Sequence, residues 1–157
     1  MIKVNMKVGI LGTLLAIFGC QSQNSPLGAT KINIDELSQQ LKLLDDGKTE
    51  YDFIGITSNG IDCIYFMKAN NKYQLDFEAM TLDQLPYLSK LEDFALRNNF
   101  STEKINYGNQ PQYSSSTFAP VLRIKINADL QKAFDIGRQI QDEVFKNNNQ
   151  TVYEVVP

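Results

Sequence analysis

The sequence predicts an α+β domain in which an antiparallel sheet carries helices on one of its faces. Three patterns lead to this prediction: amphipathic stripes at helical spacing, runs rich in Ile, Phe and Tyr between them, and an Asn-Gly pair separating two such runs. The chain has 157 residues, of which 43% are hydrophobic, so one domain with a substantial core is expected.

The first helix is expected to begin at a capping box. Asn33 and Glu36 have the required spacing, and Ile and Leu then recur at helical intervals as far as residue 46. Residues 51–58 and 61–69 are predicted strands. The Asn59-Gly60 pair between them favours a β-hairpin.

A third strand is predicted over residues 73–79, where apolar and polar residues alternate. Asp76 and Glu78 share one face of this strand. We expect that face to be solvated, with the acids paired across strands to Arg123 and Lys125. A helix follows, with Thr81-Leu-Asp-Gln84 as a second capping box and a proline in its first turn.

The last third of the chain is predicted to contain three strands and a long helix. In order, these are a strand over 102–107, a polar loop over 108–117, a strand over 121–126, a helix over 130–144 and a strand over 151–156. From residue 73 onward the order is βαββαβ. That order resembles the ferredoxin-like fold, here preceded by a helix and a β-hairpin. Without the last strand it resembles type III secretion chaperones.

The first twenty residues have the features of an export signal. Two lysines precede an apolar run over 8–18 that is too short to span a membrane as a helix. The sequence Ile17-Phe18-Gly19-Cys20 that ends this region resembles the lipobox of bacterial lipoproteins. The resemblance implies cleavage between Gly19 and Cys20, attachment of acyl chains such as palmitate at Cys20, and anchoring to a membrane of the cell envelope.

The same resemblance divides the chain into a signal peptide (1–19), a lipidated cysteine with a flexible tether (20–30) and one α+β domain (31–157). Gln21 stands where enteric bacteria place an aspartate for retention at the inner membrane. The outer membrane, facing the periplasm, is therefore implied. If Cys20 is not lipidated, a Cys20–Cys63 disulfide is the alternative.

Composition excludes several classes of function. The chain has no histidine, so Ser-His and Cys-His nucleophile systems are excluded. Removal of the signal peptide would take away two lysines and change the net charge from −3 to −5, which argues against binding to nucleic acid. No catalytic residue, cofactor or metal site is predicted, since no corresponding motif occurs.

Three aromatic residues border the polar loop and are the candidate contacts for a protein partner: Tyr107, Tyr113 and Phe118. The leading hypothesis is a membrane-tethered, non-catalytic binding module of the bacterial envelope, an immunity or inhibitor protein being one version. One alternative is an envelope enzyme that uses two carboxylates, such as a glycan hydrolase. Another is a structural or accessory lipoprotein.

Overall fold

A computed structural model describes residues 30–156; the predicted signal peptide and lipobox lie outside this range. Within it the chain forms three α-helices and seven strands, so the predicted α+β class is confirmed. In chain order the elements are β1 (Lys31–Asn33), α1 (Leu37–Asp45), β2 (Phe53–Thr57), β3 (Ile64–Ala69), β4 (Lys72–Glu78), α2 (Leu85–Arg97), β5 (Ser101–Ile105), β6 (Val121–Ala128), α3 (Leu130–Glu143) and β7 (Val152–Val156).

The seven strands form one open antiparallel sheet in the order β1-β7-β2-β3-β4-β6-β5. An antiparallel sheet was predicted, but β1 was not. It has three residues, with Ile32 buried between two exposed neighbours, and one such polar–apolar–polar triplet is too short to predict a strand. Pairing with β7 at the edge of the sheet is what makes it a strand.

The strand order differs from a four-stranded βαββαβ sheet, which would place β7 beside β4. The β2–β3 hairpin lies between these two strands instead, with β3 paired to β4 and β7 paired to β2. The ferredoxin-like topology is therefore not confirmed. The β2–β3 hairpin lies beside β4 because a tight turn joins β3 to β4. Asn70 and Asn71 both adopt positive φ in this turn, as two-residue hairpin turns favour.

All three helices pack against the same face of the sheet. The hydroxyl of Tyr73 on β4 donates to a carbonyl of α1 (3.1 Å), and the ring of Phe66 on β3 lies against Gly137 in α3. Phe145, just after α3, contacts Phe77 on β4 and Tyr87 in α2, with ring centroids 5.9 and 4.8 Å apart. These contacts belong to one hydrophobic core. The other side of the sheet is called here the second face.

Both predicted capping boxes form. The backbone N–H of Asn33 donates to the Glu36 carboxylate (2.7 Å), and that of Thr81 donates to the Gln84 side chain (3.0 Å). Each box opens a short 3₁₀ turn that continues into α1 or α2. The proline of α2 lies in its first turn, where it removes no helical hydrogen bond.

The hairpin predicted at Asn59-Gly60 is confirmed, since β2 and β3 pair antiparallel, but its connection spans residues 58–63 and is longer than a two-residue turn. A buried carboxylate, that of Asp62, holds this longer connection. It accepts hydrogen bonds from the Thr57 hydroxyl (2.7 Å), the Ser58 backbone N–H (2.8 Å) and the Asn147 side chain (2.6 Å). These donors replace the ones that a two-residue turn would supply between the strands.

Gly137 provides a test of the contact between α3 and the sheet. A Cβ atom at this position would lie 2.5 Å from Cζ of Phe66, which is fully buried and has no space to move. We expect Gly137→Ala to lower the free energy of unfolding by about 1–2 kcal/mol. A contact of 2.5 Å puts the cost of overpacking in the upper part of its range of about 1–3 kcal/mol, and roughly 1 kcal/mol gained in helix propensity offsets part of it.

The measurement is urea denaturation of both proteins. Lys132→Ala on the exposed side of the same helix is the control, with an expected change within about 0.5 kcal/mol. Unchanged or increased stability of Gly137→Ala would contradict the close approach of α3 to β3.

Candidate functional site

The candidate site lies on the second face, where the segment joining β5 to β6 folds back over the sheet. This segment, residues 106–120, is called the 106–120 loop. Its backbone is tied to the chain just after β4, because the N–H of Gln112 donates to the carbonyl of Met80 and the N–H of Ala79 donates to the carbonyl of Pro120, at 2.8 and 3.0 Å. The loop therefore has a fixed path across β4.

Asp76 on β4 is the centre of the first contact beneath the loop. It is only 1% exposed and forms a two-pronged ion pair with Arg123 on β6, at 2.8 Å from Nε and 2.7 Å from Nη2. The hydroxyl of Tyr107 in the loop donates to the same carboxylate. The hydrogen bonds and charge of Asp76 raise the pKa of Arg123, and burial together with Asp76 raises the pKa of Tyr107.

Glu78 is the second carboxyl under the loop and lies two residues further along β4, on the same face. It is 3% exposed, and the side-chain amide of Asn109 donates to its two oxygens at 3.0 and 3.3 Å. Burial raises the pKa of Glu78 to about 7, while the Asn109 hydrogen bond acts weakly in the opposite direction. Burial and the nearby Glu78 also raise the pKa of Tyr65 on β3.

The expectation that Asp76 and Glu78 form a solvated face is therefore wrong. The 106–120 loop covers both side chains, so β4 is buried on its two sides even though its residues alternate in polarity. The predicted pairing of Asp76 with Arg123 is confirmed. Lys125 does not join it and pairs instead with Glu103 at 2.8 Å, at the exposed margin of the sheet.

The structure gives different positions to the three aromatic residues proposed as partner contacts. Tyr107 is 39% exposed and turns its hydroxyl inward to Asp76, and the Tyr113 hydroxyl donates to the carbonyl of Ala79 at 3.2 Å. These two residues thus fasten the loop to β4. Phe118 is 56% exposed and is the most exposed of the three.

The chemistry available at this site is limited by how fully its polar groups are engaged. In residues 30–156 every buried side-chain nitrogen and oxygen has a hydrogen-bond partner. The same range contains no group of three metal-ligating side chains that could hold an ion. It also contains no helix long and apolar enough to cross a membrane. Of the two carboxyl groups of the site, Asp76 is paired with Arg123 and Glu78 is not.

Sequence reasoning missed a second polar network, which surrounds Asp62. Gln141 in α3 donates to the carbonyl of Asp62 at 3.0 Å and accepts from Asn147 at 2.9 Å. Asn147 also lines a surface groove of about 500 Å³ beside α3 and β7. The sequence feature that indicates such a network is the cluster of turn-forming polar residues at positions 57–62.

Cys63 lies beside this network and is buried. It is disulfide-bonded in the structure, and the one other cysteine of the chain, Cys20, lies outside the described residues. Lipidation of Cys20 and a Cys20–Cys63 disulfide exclude each other, because both use the same sulfur atom. The mass of the purified chain distinguishes these two alternatives of the sequence analysis.

Comparison with protein-family models, with curated proteins and with solved structures found no match to this chain.

The buried ion pair between Asp76 and Arg123 predicts that loss of the Asp76 charge destabilises the protein more than loss of the charge of an exposed acid, Glu103. Asp76→Asn leaves the guanidinium without its charge partner, so we expect a loss of about 1–3 kcal/mol in the free energy of unfolding. A larger loss is not expected, because the Arg123 side chain is 28% exposed and water can solvate part of it.

The matched control is Glu103→Gln, which breaks the exposed pair with Lys125 and should change stability by less than about 0.5 kcal/mol. Both variants are compared with the parent protein by chemical denaturation at neutral pH. Equal losses for the two variants would mean that the buried pair has no special role.

Proposed function

We propose that this protein is a non-catalytic binding module, attached to the bacterial envelope by lipid on Cys20, that contacts a protein partner through the 106–120 loop. The main support is one observation. The loop is held to β4 along its length, and it leaves a large apolar side chain, Phe118, exposed. A preorganised apolar contact lowers the entropic cost of association.

The engagement of the buried acids supports binding rather than catalysis. A general acid or base has to reach the proton that it transfers. Asp76 is occupied by Arg123 and Tyr107, and Glu78 is covered by Asn109 and almost fully buried. These side chains act here as the points to which the loop is attached.

The export signal and lipobox support the location. They resemble those of bacterial lipoproteins, and Gln21 after the cysteine favours the periplasmic side of the outer membrane. An immunity or inhibitor protein acting there is one form of such a module. A structural or accessory lipoprotein is the form that would have no specific partner.

The partner proposal is tested by affinity capture from envelope extract with the full chain carrying a C-terminal tag. We expect an enriched protein whose recovery falls at least about tenfold with Phe118→Ala, because exposed aromatic anchors dominate binding energy. The matched control is Leu96→Ala, since Leu96 is 76% exposed but lies on α2, away from the loop.

Two results would contradict the proposal. The first is recovery of no enriched protein, and the second is an equal loss for the Phe118 and Leu96 variants.

The anchor is tested with Cys20→Ser in the native host. We expect the parent protein in the membrane fraction, with a mass increased by its acyl chains. The variant should move to the soluble fraction, because one to three acyl chains supply the membrane affinity. An unchanged distribution and an unmodified mass would exclude lipidation. A loss of two mass units relative to the reduced chain would then indicate the Cys20–Cys63 disulfide.

A carboxylate-based glycan hydrolase is the second candidate. Its support is Glu78, whose pKa is raised to about 7 beside a second carboxylate on the same strand face, since enzymes of this kind need two acids in different environments. Release of sugar from purified envelope glycan by the parent chain, and its loss in Glu78→Gln, would favour this candidate over binding.

For the fold, we infer a ferredoxin-like unit from β4 to β7 that the β2–β3 hairpin has widened. The support is that β4, β6 and β5 are neighbours in the order that this unit requires, with α2 and α3 as its helices. A type III secretion chaperone-like arrangement, which omits β7, is the alternative.

A further inference from the structure

The attachment of the 106–120 loop depends on two carboxyls that are held in different ways. Asp76 is balanced by the guanidinium of Arg123, so its negative charge is compensated inside the protein. Glu78 is just as deeply buried, but its hydrogen bonds come from the neutral amide of Asn109. A negative charge on Glu78 therefore has a cost in the closed position of the loop that a charge on Asp76 does not have.

The loop also has a hinge next to this contact. Gly108 precedes Asn109 and has φ +81°, and nothing lies within 4 Å of the place where a Cβ would be. Glycine changes conformation there more readily than other residues. Movement about Gly108 would carry Asn109 away from Glu78 and let water reach the carboxyl.

From this geometry we propose that the 106–120 loop is a pH-sensitive lid, closed while Glu78 is uncharged and loosened when Glu78 ionises. Regulation of this kind deepens the proposed function, because the lid carries Phe118. The direction follows from linkage. A carboxyl with a raised pKa in the closed state stabilises closure fully below its ordinary value of about 4.5, and this stabilisation is lost as the pH rises toward about 7.

Other ionisable groups lie around Glu78. The ones that face it from the neighbouring elements are Asp76 on β4, Tyr65 on β3, Arg123 on β6, and Tyr107 and Tyr113 in the loop. The pKa values of the three tyrosines and of Arg123 are raised, so these groups stay protonated at neutral pH.

The experiment is amide hydrogen exchange on the purified full chain at pH 5 and pH 8, with rates corrected for the intrinsic effect of pH. The reporters are the N–H groups of Gln112 and Ala79, whose hydrogen bonds to Met80 and Pro120 join the lid to the chain just after β4. We expect their protection to be roughly tenfold or more lower at pH 8 than at pH 5. The N–H of Ala133 in α3 should show no such change.

Two variants separate Glu78 from other groups. Glu78→Gln should give loop protection that is independent of pH, because the amide cannot ionise. Glu103→Gln should keep the pH dependence of the parent chain, since Glu103 is exposed and lies outside the lid. If Glu78→Gln does not fold, the parent chain alone still decides, through the comparison of loop and helix amides.

Equal protection of the loop at both pH values would overturn the proposal. Persistence of the pH effect in Glu78→Gln would do the same, as would an equal change at Ala133, which would mean that Glu78 acts on the whole fold. The measurement needs no partner. Its result is therefore independent of the capture experiment, and either can fail without the other.

Discussion

A strand that is buried on both sides must satisfy every polar side chain that it carries, and β4 carries two carboxylates on its second face. An unpaired buried carboxylate costs several kcal/mol, so the 106–120 loop and β6 have to supply partners. Arg123, Tyr107 and Asn109 are those partners. The path of the loop over β4 and the inward direction of the Tyr107 hydroxyl follow from this requirement. The loop is thus part of the packing of the sheet.

The predicted parts of the fold are those determined by neighbouring residues. Both capping boxes, the three helices and the strands after residue 72 follow from local spacing, and they form close to the expected positions. The burial of Asp76 and Glu78 was not predictable in this way. Their alternation with apolar residues is the same for a solvated face and for a face covered by another segment, and the covering residues are 31 positions away. Strand order has the same difficulty, since the pairing of β7 with β2 in place of β4 joins strands from opposite ends of the described chain.

The two polar networks show two ways of burying an acid. Asp62 takes hydroxyl, backbone and amide donors from β2, from its own turn and from Asn147, which fixes a connection between strands. Asp76 takes a guanidinium and a phenol, which joins a loop to the sheet. Hydrogen bonds from charged donors are about twice as strong as neutral ones. Glu78, with an amide as its partner, has the weakest compensation of the three, and a group of this kind responds most readily to its surroundings.

The pairing of β1 with β7 brings the two ends of the described chain to the same edge of the sheet, with Lys31 opposite Glu154. The loop crosses β4, four strands away, which at about 4.8 Å per strand is roughly 19 Å from that edge. A circular permutation of residues 30–156 that joins these two ends therefore needs only a short linker, since the N–H of Val155 already donates to the carbonyl of Thr30 at 2.8 Å.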